Sequence, residues 1–84
     1  MKRKNMNNEN NILYLVFECK EDFDYTQSLL YIYKTKEEVI NSLVYNNKKD
    51  LFLAKFNLNK QSYTPIYANS NFALSFCDKN TILI

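Results

Sequence analysis

The sequence contains no histidine, no glycine and no tryptophan, and a single proline. Without histidine the usual general base is missing, and so are the Cys-His and Ser-His pairings of nucleophilic catalysis. A zinc site would have to rely on Cys19 and Cys77, which show no ligand spacing. Without glycine there is neither a P-loop nor a dinucleotide-binding turn, because both need backbone that approaches phosphate without a Cβ in the way. The acidic stretch "ECKEDFDY" gathers Glu18, Glu21, Asp22 and Asp24, but not at the offsets of a calcium loop. No catalytic residue, metal or cofactor is expected. The chain reads as a non-enzymatic protein.

Other absences bound the setting. Two cysteines in 84 residues do not make a disulfide scaffold, so both are expected as free thiols. The basic start is followed by "NMNNENN" rather than an apolar leader. No apolar run approaches the ~20 residues of a membrane span. These features predict a soluble, cytoplasmic protein in a reducing environment, with no membrane partner. Thirteen asparagines and ten lysines suggest an AT-rich genome, such as those of low-GC bacteria with their phages and mobile elements, or of some protozoa and large DNA viruses.

The formal net charge is +2, but Lys2, Arg3 and Lys4 contribute +3 before the first acid, Glu9. The remainder holds eight basic and nine acidic residues, close to neutral. Nucleic-acid affinity rests mainly on phosphate contacts, so a near-neutral domain argues against nucleic acid as the partner. Residues 1–10 are polar and aperiodic and read as a disordered basic, Asn-rich tail; as a basic arm it could instead touch nucleic acid or an acidic partner. Residues 11–84 read as one small domain, expected to bury ~60–65% of the surface its unfolded chain exposes.

Thirteen aromatics, seven Tyr and six Phe, favour strands and supply much of the core. "ILYLVFEC", residues 12–19, is apolar on both alternating faces, as a central or doubly covered strand would be. "KEDFDYTQ" reads as a loop and "SLLYIYK", residues 28–34, as the return strand. "KTKEEVINSLVYNN" then predicts a helix. Thr35 and Glu38 have capping-box spacing, and Val39, Ile40, Leu43 and Val44 form one apolar stripe. An Asn of "NNKKD" is expected at the helix C-cap. "LFLAKFNLN", residues 51–59, alternates, and Phe52 and Phe56 are expected under the helix. "KQSYTPIYANS" reads as a connection, because Pro65 argues against a central strand there. "NFALSFC", residues 71–77, reads as a further strand, and "TILI" as the close of a last hairpin.

The pieces "ILYLVFE", "KEDFDY", "LLYIYKTKEEVINSL" and "FNLNKQSYTPIY" resemble a group of small uncharacterised bacterial and phage-type proteins. Those carry a "VYxLW" strand, an acidic loop, a "GVYSSxEEA" strand-to-helix junction and an "LDKxxWTxGF" strand. The resemblance spans residues 12–67. This chain departs from the group in having no Gly before "YIYKTKEE" and Tyr63 where the group has Trp. It implies the fold and carries no activity.

The expected fold is therefore α+β: an antiparallel sheet of four to five strands with one helix on one face, in the order β-β-α-β-β with room for a fifth strand. One helix covers one face only, and Leu13, Leu15, Phe17, Leu29, Tyr31, Tyr33, Leu51 and Leu53 are expected to line the other, unless the C-terminal segment folds over it. An exposed apolar face marks an interface. The expectation is a protein-binding module, with another protein or a second copy as partner, acting through Tyr14, Tyr31 and Tyr33 on a sheet face or through an edge strand. The acidic Glu21, Asp22 and Asp24 would offer a contact for a basic partner. A nucleic-acid-binding module using the same tyrosines and the basic arm is the alternative.

Overall fold

The computed structural model describes residues 11–21, 25–45 and 48–84. The elements are β1 (Ile12–Glu21), β2 (Tyr25–Tyr33), α1 (Lys36–Tyr45), β3 (Leu51–Asn57), β4 (Ser62–Ala68), α2 (Asn71–Leu74) and β5 (Ile82–Leu83). Among these residues the strands form one five-stranded sheet in the order β2-β1-β3-β4-β5. The architecture is α+β, but not wholly antiparallel: β4 and β5 run parallel, pairing Tyr67 with Ile82 and Ala68 with Leu83.

The β1–β2 hairpin is longer than its apolar run. Both strands continue into the expected loop, where Glu21 pairs with Tyr25, so the β residues Thr26 and Gln27 hold the strand. Asp22 and Asp24 lie outside the described residues, as do the tail, residues 1–10, and the Asn46 and Asn47 of the expected C-cap. β1 is central, with β2 on one side and β3 on the other, which is why both of its faces are apolar.

α1 begins at Lys36 after Thr35, whose hydroxyl donates to the Glu38 carboxylate at 2.7 Å. The helix lays Val39 and Leu43, both almost fully buried, on Val16, Leu51 and Leu53, with Ile40, Tyr14, Leu30 and Tyr33 packed around them. The alternation of β3 is thus seated opposite to expectation. Leu51 and Leu53 lie under the helix, whereas Phe52, Ala54 and Phe56 face away from it. The cause is that Leu51–Ala54 is buried on both faces, so pattern alone does not select one. Val44 lies within α1, and its side-chain surroundings are outside the described residues.

The second face carries its own core. Phe52, Ala54, Cys19, Ala68 and Ala73 are buried together, with Phe17, Phe72, Leu74, Phe76 and Cys77 against them. Phe17 stacks on Phe52 with ring centroids 5.0 Å apart. Residues 71–77 therefore cover one end of this face as a helical turn, not as a strand. The Ser70 hydroxyl caps that turn, accepting from the Ala73 N–H at 3.1 Å and donating to Asp50 at 2.6 Å. Phe72 and Phe76 meet edge to face at 5.2 Å, the i, i+4 neighbourhood of a helix. An alternating Phe72, Leu74, Phe76 pattern is compatible with either period over so short a segment.

Residues 62–68 form strand β4 and not a connection. Pro65 is accommodated where the β3–β4 register shifts, between Leu53 and Ala54, and it stands opposite Ala54. β5 pairs only with Tyr67 and Ala68, so at Pro65 the strand has no ladder partner on its outer side and the missing N–H costs nothing. No hairpin forms at residues 78–84. The chain crosses back through α2, and Thr81 donates to the Pro65 carbonyl at 3.2 Å.

Candidate interaction surface

β2 ends the sheet. Over Tyr25–Tyr33 it reads "YTQSLLYIY", nine residues without a charge or a proline. Its partner β1 satisfies one side, so alternate N–H and C=O groups on the other side point outward. Leu29, Tyr31 and Ile32 are each about half exposed, at 48%, 52% and 57%. Ile32 pairs with Leu15 and Leu29 with Phe17, which places both on the face away from α1. Tyr31 pairs with Val16 and Tyr33 with Tyr14, which places them on the α1 face. The extra residue between Tyr31 and Leu29 is Leu30, at a bulge opposite Val16 and Phe17.

The expected uncovered face thus divides in two. Leu51, Leu53 and Tyr33 belong to the α1 side, and the α2 turn closes part of the other. Of the expected set, Leu29 and Tyr31 stay exposed, both on β2. Tyr63 holds this edge from the far side of the sheet: its ring lies 5.3 Å from Phe17, and its hydroxyl accepts from the Gln27 amide at 3.0 Å. Tyr63 is therefore an aromatic bridge from β4 to β2.

The three tyrosines singled out in the sequence do lie near one another. Tyr31 and Tyr33 are 6.0 Å apart by ring centroids, and Tyr14 is the cross-strand neighbour of Tyr33. They do not form one exposed platform, because Tyr14 and Tyr33 are partly buried against the α1 core and only Tyr31 is open. Glu21 is exposed at the end of β1. Among the described residues, no group of three His, Cys, Asp or Glu is placed to hold a metal ion.

A feature not legible in the sequence lies beyond Tyr14. Three adjoining concavities, of about 330, 250 and 390 Å³, all share Lys55. Lys34 and Lys36 line the first, and Lys60 the third. One carboxylate, Glu37, shares the first with them. These lysines come from the β2–α1 junction, from β3 and from the β3–β4 turn. The signal in the sequence was the polar alternation Lys55, Asn57 and Ser62, Thr64, which becomes one surface once Lys55 pairs with Thr64.

The cysteines offer no reactive thiol. Both are free. Burial, helped by the neighbouring Cys77, Asp50 and Glu18, pushes the Cys19 thiol up to about 12. Cys77 is raised as well, first by burial, with Asp78 adding to it and a hydrogen bond involving Thr81 opposing it. At neutral pH both stay protonated, and a protonated thiol is a poor nucleophile.

No family model, no curated protein and no solved structure matches this chain. No helix among the described residues is long and apolar enough to cross a membrane.

Proposed function

We propose that this chain is a small non-enzymatic binding module that engages a protein partner by adding a strand to the β2 edge. The observation that carries this reading is the edge itself: nine uncharged residues at the end of the sheet, with Leu29, Tyr31 and Ile32 half exposed along it. Strand addition supplies main-chain hydrogen bonds, and flanking side chains supply specificity. Leu29 and Ile32 would seat the partner on one face and Tyr31 on the other. The test is capture by the immobilised chain from a host extract, in parallel with Leu29→Lys and Ile32→Lys. A partner retained by wild type and lost by both variants supports edge recognition. A partner held equally by all three removes it.

A second reading, nucleic-acid binding, draws on the lysine-lined trough. Lys34, Lys36, Lys55 and Lys60 stand around it with one carboxylate between them, and Tyr14 and Tyr67 line its wall. The basic tail in the sequence would add to that charge. About four phosphate contacts to a single strand would give a salt slope near −3. Fluorescence anisotropy of a labelled single-stranded oligonucleotide, with wild type against Lys55→Glu, tests it: binding that ignores salt or survives the substitution ends this reading.

A further inference from the structure

We draw no further inference here: the strongest candidate, the apolar stretch of the sheet face away from α1 on which Leu29, Ile32 and Tyr63 stay exposed beyond the α2 turn, carries none, because nothing in the structure shows what covers it.

Discussion

Replacing Leu53 with alanine probes which face of β3 lies under α1. Leu53 is fully buried, pairs with Val16 and Tyr67, and packs with Val39 and Leu43. A buried Leu→Ala change costs about 2–5 kcal/mol, through lost transfer energy and the cavity left behind. A tightly enclosed site with no exposed margin belongs in the middle of that range, about 3–4 kcal/mol. A domain of this length has roughly 4–12 kcal/mol of total stability, so the change removes a large share. At about 4–8 °C per kcal/mol for a small domain, the melting temperature should fall by about 12–30 °C. Phe56→Ala is the control. Phe56 points away from α1 and is half buried, so it should lose about 1–2 kcal/mol, well short of the ~3–5 kcal/mol of a fully buried Phe. Urea unfolding followed by circular dichroism, with slopes checked for equality, gives both numbers. If Phe56→Ala proves costlier than Leu53→Ala, α1 lies on the Phe face and the seating of β3 described above is wrong.

Three further outcomes follow from particular contacts. Asn69→Ala should cost about 1–3 kcal/mol in urea unfolding, because its Oδ1 accepts from the N–H of buried Leu51 at 2.8 Å and that donor would be orphaned; a loss under about 0.5 kcal/mol would show that the bond contributes little. Gln61→Gly should stabilise by about 0.4–1 kcal/mol, since Gln61 holds φ at 54° in the β3–β4 turn, where a Cβ is unfavourable; a destabilised variant would contradict this. The Cys19 thiol is raised on folding, so its contribution is fully present below the unfolded value of about 8.5 and is lost as pH climbs from there toward about 12. Wild-type stability should therefore fall more steeply than that of Cys19→Ala above that pH, and parallel curves would show that Cys19 does not titrate differently in the folded state.

The first half of the fold was legible because its signals are local. The β1 run, the Thr35–Glu38 cap and the α1 stripe each fix an element within a few residues. The second half depends on distant partners. Leu51–Ala54 is apolar at every position, and only the docking of α1 on one side and α2 on the other shows which residue meets which. Phe72 and Phe76 fit a strand by twos and a helix by fours, and the choice falls to the helix because Ser70 caps it while tied to Asp50. Pro65 argued rightly against a doubly paired strand position, but β5 is too short to reach it. The tyrosines were legible as a group and misleading as a platform, since pairing with Val16 and Tyr14 carries them toward the α1 core. The lysine trough needed the β3–β4 register, which hangs on a turn at Gln61 that no glycine marks.

For the proposed binding role, the distribution of exposed apolar side chains favours the edges of this sheet over its faces. Both faces have cores, one closed by α1 and the other by the α2 turn. The large apolar residues left open fall mainly on the outermost strands and just beyond them, Leu29, Tyr31 and Ile32 at one end and Ile82, Leu83 and Ile84 at the other. The two ends differ in what they can accept. β5 offers only two residues of ladder, and the Ile84 N–H is used inward, on the Ala68 carbonyl of β4 at 2.8 Å. β2 offers nine residues, with the Tyr63–Gln27 hydrogen bond behind it, and it ends the sheet among the described residues. An edge that is long, neutral and held in place can template another strand at little cost in ordering. Under the proposed strand addition, pairing would fall to β2, and partner choice to Leu29, Tyr31 and Ile32 beside it.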